Sequence, residues 1–321
     1  VSGSAGGRGS YSRGLHELAD GLHAYLQPDG GWGWSNAGLI VADGASLLVD
    51  TLFDLTLTAE MLEAMAPHLE RSPLVAAFNT HGNGDHCYGN RLLPEGLSII
   101  ASAAADEEIR AVPPAAAQRL FKEADLGPEF AAFAADAFGP FEFAGNELRA
   151  PTETFETERA VTVGEREVHL RRLGPAHTAG DAIAWVPDAR AVFTGDILFI
   201  KGTPVMWAGP LSHWLAATEW ILALDPRVIV PGHGPLADPQ MVREMEGYLR
   251  FVEREATLRF QAGMDPVAAA DDIDLGQYAD WGDRERIAVN VDTIYRELDP
   301  TLARTPAPEL FVRMAKWRAR H

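Results

Sequence analysis

Three short apolar runs in this 321-residue chain each end in glycine and in a residue type that binds metals. Leu74-Val75-Ala76-Ala77-Phe78 leads into Asn79-Thr80-His81-Gly82-Asn83-Gly84-Asp85-His86. Ala191-Val192-Phe193 leads into Thr194-Gly195-Asp196, and Val228-Ile229-Val230 into Pro231-Gly232-His233. Runs of this length bounded by turn residues read as buried strands. The first loop is the densest, with two imidazoles and a carboxylate within six residues. Such a set suits a borderline divalent ion such as zinc. His81 and His86 are not an i, i+4 pair on one helix face. A Gly-rich loop at a strand end turns them inward together, with Gly82 and Gly84 supplying the permissive backbone.

The rest of the chain repeats this grammar. Gly38–Ala42 and Ser46–Asp50 read as two strands joined at Asp43-Gly44. Residues 56–69 read as an amphipathic helix, and Ser98–Ala101 as the next strand. Strand patterns return at 160–163, 168–173 and 182–186, with Gly174-Pro175-Ala176-His177-Thr178-Ala179-Gly180-Asp181 between the last two. Residues 11–29 carry a mild amphipathic pattern that is compatible with a helix or a strand. Between 106 and 143 the sequence is Ala-rich and helical in pattern, broken at Pro113-Pro114 and Gly127-Pro128. It holds Phe121, Phe130, Phe133, Phe138, Phe141 and Phe143, a set dense enough to pack a helical wall onto a neighbouring layer. From about Asp238 onward the pattern is helical again. It reads as an appendage packed on the preceding domain, with a dimerisation arm, and so a homodimer, as the alternative. Asp271-Asp272-Ile273-Asp274 has metal-ligand residue types, but acidic runs are ordinarily solvated faces.

Five loops, at Asp50-Thr51, 81–86, His177, Asp196 and His233, resemble in order the motifs of the metallo-β-lactamase fold superfamily. The second of these in the family is His-x-His-x-Asp-His, and here Asn83 stands at its second His. The resemblance covers roughly residues 30–240. It implies an α/β chain folded as an αββα sandwich, over 29–240, with a helical insertion at 106–150. Residues 1–28 are then a tail and lead-in, and 241–321 a helical C-terminal extension. The site is implied at one edge between the sheets.

Carried over residue by residue, the resemblance gives His81 and His177 to a first metal, with Asn83 in the third position. Asp85, His86 and His233 hold a second, and Asp196 bridges the two. Two divalent ions so held, zinc first, share a hydroxide whose pKa is lowered towards neutral. Asp85 would orient that hydroxide and then pass a proton to the leaving group. The Asp50 carboxylate reads as a buttress of the metal loop or as a helix cap. Asn83 leaves three consequences open: a loosely held first ion, an oxygen or water ligand in a dinuclear site, or a preference for iron or manganese, which oxygen donors favour.

The activity so implied is hydrolysis of an ester-like bond (ester, lactone or thioester) in a small or medium organic molecule. An iron-dependent redox enzyme, a polyketide-type cyclase and a non-catalytic metal-binding module are the alternatives, because fold alone does not choose among them. Lys201, shortly after Asp196, is a candidate contact for a substrate anion. Trp32, Trp34 and Trp207, with Trp214, are candidates to line an apolar cleft.

Charge narrows the partners. With 27 basic and 46 acidic side chains the net charge is −19, which repels nucleic-acid phosphates and anionic lipid. No apolar run is long enough to span a bilayer. The single cysteine, Cys87, excludes an intrachain disulfide and any cysteine-built metal site. Residues 1–10 are Gly- and Ser-rich without an apolar centre, and read as a flexible tail or an expression scar rather than a secretory leader. A cytoplasmic enzyme acting on a small molecule is expected.

Overall fold

The structure, a computed structural model, describes residues 11–321. The tail expected over residues 1–10 lies outside the described residues. Two β-sheets face each other. The first takes strands in chain order: β1 (Gly14–Ala19), β2 (Leu22–Leu26), β3 (Ala37–Ala42), β4 (Ala45–Val49), β5 (Leu74–Phe78), β6 (Ser98–Ser102) and β7 (Glu153–Phe155). The second is ordered β12 (Val228–Val230), β11 (Ala191–Phe193), β10 (Ala182–Val186), β9 (Arg166–Arg172) and β8 (Glu158–Val163). The α/β sandwich is therefore as the sequence implies. The segment 11–29, which the pattern left between helix and strand, is the β1–β2 hairpin. It belongs to the first sheet rather than to a lead-in, with β2 paired antiparallel to β3.

Pairing direction explains where the loops gather. β4 and β5 are parallel, so the residues after both lie at one end of the first sheet. β11 and β12 are also parallel, so Asp196 and His233 leave the second sheet together. β9 runs in the sense of β11, since each is antiparallel to β10, so the His177 loop that follows β9 leaves the second sheet at that same end. Between the sheets pack Leu22, Ile40, Leu47, Phe78 and Ile100 from one side and Val168, Leu170, Ala184 and Phe193 from the other. The sheets approach so closely that a Cβ on Gly38 would lie 2.3 Å from the Phe193 ring. Each large apolar side chain buried there contributes roughly 1.5–3 kcal/mol.

Helices cover the outer faces. α1 (Leu55–Leu69) starts at Asp54, whose carboxylate accepts from the Leu57 N–H, a cap worth about 1 kcal/mol. The cap of α1 is thus Asp54, which frees Asp50 for another role. After the short α2 (Gly84–Cys87) the insertion forms α3 (Ala103–Ala111), α4 (Pro114–Gln118) and α5 (Pro128–Ala137). α6 (Leu211–Ala223) lies beneath the Asp196 loop and went unread in the sequence. Its Trp214 is fully buried, with its indole N–H on the Ile197 carbonyl, so that tryptophan is core and lines no cleft.

The C-terminal part forms α7 (Pro239–Gln261), α8 (Pro266–Asp272), α9 (Ile287–Leu298) and α10 (Ala307–Arg320). α7 buries Val242, Met245, Leu249, Val252 and Ala256, one stripe at helical spacing. α9 is buried on every side from Ile287 to Tyr295. These helices share one continuous core with the first sheet and the insertion. Phe121 stacks on Phe138 at 3.7 Å between centroids, and Phe311 of α10 meets both. The insertion therefore packs on the C-terminal helix as well as on the sandwich. The acidic run at 271–274 is engaged locally: Asp271 pairs with Arg320, Asp272 with Arg259, and Asp274 accepts from the Gly276 N–H. Among the described residues no helix is long and apolar enough to cross a membrane.

Candidate metal centre

Every imidazole of the centre is held from behind. Asp50 ends β4, and its carboxylate accepts from the Thr80 N–H (2.7 Å), the Thr80 hydroxyl (2.8 Å) and His86 Nδ1 (2.9 Å). Because the Thr80 proton goes to Asp50, the Thr80 oxygen is left to accept from His81 Nδ1–H at 3.0 Å. His177 Nδ1 donates to the Val205 carbonyl (2.6 Å) and His233 Nδ1 to the Gly30 carbonyl (3.0 Å). With Nδ1 so engaged, all four rings turn Nε2 inward, the orientation that oxygens hydrogen-bonded behind metal-binding histidines impose.

The inward atoms meet at Asp196. Its Oδ1 is 3.1 Å from His86 Nε2, and its Oδ2 lies 3.3, 3.5 and 3.7 Å from Nε2 of His177, His233 and His81. Asp85 Oδ2 is 3.3 Å from His233 Nε2 and 4.0 Å from His86 Nε2. Ring centroids are 4.3 Å apart for His81–His86, 5.1 Å for His81–His177 and 5.6 Å for His86–His233. Two donor sets are close enough to share an ion: His81, His86 and Asp196; and Asp85, His86 and His233. The second matches the sequence-based partition. The first differs from it, with His86 in place of His177.

Asn83 is turned to the histidine that the first set leaves out. It precedes α2 but makes no side-chain cap there. Its Nδ2 lies 2.9 Å from His177 Nε2. With His177 Nδ1–H on Val205, the Nε2 lone pair accepts from the Asn83 amide. One of the four inward nitrogens therefore already has a partner.

The electrostatics call for positive charge. Burial pushes His81 well below its ordinary value and His177 down to about 4. Burial acts the same way on His233, but Asp196 and Asp85 override it and hold the imidazole up to about 9. His86 is likewise held well above the ordinary value by Asp196, Asp50 and Asp85, against burial. Burial opposes ionisation of Asp196, yet His233, His86 and His81 keep its carboxyl well below the carboxylate range. His81 Nε2, His86 Nε2 and Asp196 Oδ1 are buried without a hydrogen-bond partner. Lone pairs converging on a carboxylate in low dielectric need a cation between them. A divalent ion is the cation that this donor set of imidazoles and carboxylates fits.

Glycine is required at one further point. A Cβ on Gly232 would lie 2.0 Å from Asp196 Oδ1. Gly232→Ala protein is expected to fold, by circular dichroism, and to bind zinc at least about tenfold more weakly than the parent, as for other losses of ligand orientation. Parent-like affinity in the titration would show that Asp196 moves without consequence.

Other supporting residues escaped the sequence reading. Thr80 carried no signal beyond its place before His81. Glu108 of α3 accepts from the Ala179 and Gly180 N–H groups (2.9 and 3.2 Å) and fixes the His177 loop. Asp181 accepts from the Thr178 N–H (2.8 Å) and hydroxyl (2.7 Å), closing that loop on itself; the Thr-x-x-Asp spacing was a usable signal.

The candidate substrate residues divide. The Trp207 backbone N–H donates to the His177 carbonyl, and the Trp207 ring lies tilted against Trp32 at 6.4 Å. Trp32 donates its indole N–H to Glu285 (2.8 Å) and lies under the Arg286 guanidinium. Trp34 packs on Phe141 at 4.8 Å, one residue before Ser35, whose hydroxyl donates to the Asp85 carbonyl. Lys201 is exposed, beyond the Ile200 N–H that donates to the His233 carbonyl; no hydrogen bond or ion pair joins it to the cluster among the described residues.

A family model described as the metallo-beta-lactamase superfamily matches residues 30–233. The chain belongs to that superfamily. Similar proteins include a Beta-lactamase-like protein 2 homolog of Caenorhabditis elegans, 28% identical over 127 residues, 39% of this chain and 42% of the relative. A Hydroxyacylglutathione hydrolase of Brucella ovis is 29% identical over 193 residues, 59% of this chain and 58% of the relative. The chain spans about half the length of the curated relatives it matches. Among solved structures, the inverting sec-alkylsulfatase Pisa1 from Pseudomonas sp. aligns with a TM-score of 0.66 at 16% identity, over 92% of this chain and 52% of that one. The DIM-1 metallo-beta-lactamase aligns at 0.53 and 15%, over 74% and 96%. At such identities these two speak for the metallo-beta-lactamase fold alone. Superfamily, fold and ligand-type cluster agree with one another.

Proposed function

We propose that this metallo-beta-lactamase superfamily chain hydrolyses an ester-like bond, as in a carboxylic ester, lactone or thioester, in a small or medium organic molecule. The observation that carries the reading is the common anchoring of four imidazoles through Nδ1, with every Nε2 turned towards Asp196. His81, His86, Asp85, His233 and Asp196 would hold divalent metal, zinc first, with His177 and Asn83 at the edge of the set. Divalent metal bound there supplies Lewis acidity and brings the pKa of water towards neutral.

The chain's own groups do the rest. Asp85 has the most exposed side chain among the imidazole and carboxylate donors, at 12%, so its carboxylate faces the approach. There it orients the attacking water and passes the proton to the leaving oxygen or sulfur. One N–H of the Asn83 amide goes to His177, and its other N–H would steady a developing oxyanion. Burial of the remaining donors keeps bulk water from competing. The ester and thioester classes, rather than another bond, are favoured by the similarity to proteins named Hydroxyacylglutathione hydrolase.

The test is a panel of aryl esters, lactones and S-acyl thioesters assayed on protein as purified, after chelation, and after return of zinc, manganese or iron. Turnover of at least one class is expected to fall about 10²–10³-fold on chelation, the scale for losing one strong electrostatic stabiliser, and to return with metal. Full turnover by metal-free protein would overturn the mechanism.

A further inference from the structure

Among the described residues, one exposed cation without an ion pair reaches the segment that holds the His177 loop. Arg304, in the loop between α9 and α10, is exposed, and among the described residues it forms no ion pair. Its Nη2 is 3.4 Å from the Trp207 carbonyl, a weak contact. Trp207 and Ala208 in turn donate their N–H groups to the His177 carbonyl. The guanidinium therefore lies against the same short segment that holds His177.

The acidic groups around it are engaged elsewhere. Glu108, whose carboxyl feels the Arg304 charge, is taken up by the Ala179 and Gly180 amides. Asp292 receives Arg313, Arg296 and the Thr305 hydroxyl. On a chain of net charge −19, an unpaired arginine at this place is available to an incoming anion. Next to it is an apolar face. The Trp207 ring meets Phe311 at 5.5 Å and Trp32 at 6.4 Å, and both indoles are only partly buried.

We propose that Arg304 is the anion anchor of the substrate site, and that the molecule hydrolysed carries a carboxylate on an aromatic or apolar body lying against Trp207 and Trp32, which the buried Phe311 backs from the core. This deepens the hydrolase reading and rests on it. A planar guanidinium takes a carboxylate through two parallel N–H donors, whereas a lysine in its place offers only a point charge. The C-terminal extension, which supplies both Arg304 and Phe311, is then a specificity module for the centre in the sandwich. Arg304, rather than Lys201 on the His233 side, reads the charge.

The test is calorimetric titration of the full chain, as purified and again after chelation, with phenylacetate and with its neutral isostere phenylacetamide. The parent is expected to bind phenylacetate at least tenfold more tightly than phenylacetamide under both conditions. Arg304→Gln should weaken phenylacetate tenfold or more and move phenylacetamide less than twofold, with Arg304→Lys between. Equal binding of the two probes by the parent, or unchanged phenylacetate binding by Arg304→Gln, overturns the proposal. So does selectivity that disappears on chelation, since the anion would then sit on metal. These outcomes are independent of turnover. Charge-selective binding without hydrolysis of any ester sinks the hydrolase reading and leaves Arg304 standing; hydrolysis with charge-blind binding does the reverse.

Discussion

Replacing Asp196 by alanine is expected to remove metal binding and hydrolysis together. Its two oxygens lie within 3.1–3.7 Å of all four inward imidazole nitrogens. No other residue is placed to neutralise an ion there from every side. Loss of an outer-shell partner ordinarily costs 10–100-fold in metal affinity, so loss of this central carboxylate should exceed about a hundredfold. With Asp85 as the one carboxylate left among the rings, a buried divalent ion keeps uncompensated charge. Two measurements check this: zinc titration by competition with a chromophoric chelator, and the hydrolysis rate at saturating metal. Asp196→Asn keeps the shape and removes the charge, and should behave like the alanine protein. If Asp196→Asn retains parental affinity while folded, charge at this position is not what holds the ion.

The second large effect concerns Asn83. The parent is expected to take one zinc tightly and a second more weakly, because His177 Nε2 already accepts from the Asn83 amide. Asn83→His replaces a neutral donor by an imidazole that is a better zinc ligand than any amide oxygen. The second zinc should then bind at least tenfold more tightly, about 1.4 kcal/mol. Turnover should fall over the same change if the amide steadies an oxyanion, since one such donor is worth roughly 10²–10³ in rate. Asn83→Ala separates the two roles, freeing the His177 lone pair without adding a ligand. Identical stoichiometry and affinities in parent, Asn83→His and Asn83→Ala would mean that Asn83 neither limits nor assists the ion.

The ligand loops were readable because each follows an apolar run too short to be anything but a strand, and because glycine marks the turn that follows. The same logic placed β3–β6 and β8–β12 within a residue or two. It failed where periodicity is weak. Gly14–Ala19 is half-exposed along its length, so its pattern does not separate helix from strand. Glu153–Phe155 is too short to carry a period. α6 is apolar on most sides, since it lies under the Asp196 loop. Within the site, the residues that bind were legible by chemical type, whereas those that orient them were not. Thr80 and the carbonyls of Val205 and Gly30 act through position alone. Arg304 lies more than a hundred residues beyond Asp196, and nothing local marks it.

The ligand-type residues divide evenly between the sheets. His81, Asp85 and His86 follow a strand of the first, while His177, Asp196 and His233 follow strands of the second. Neither half alone offers a complete site, so an ion recognises only the chain with both sheets docked. By mass action its binding adds to the folding free energy, about 2.7 kcal/mol when free metal stands at a hundred times its dissociation constant. Metal supply would thereby set the folded fraction of the chain as well as the fraction able to act. A chain starved of metal would open first along the seam where its two sheets meet.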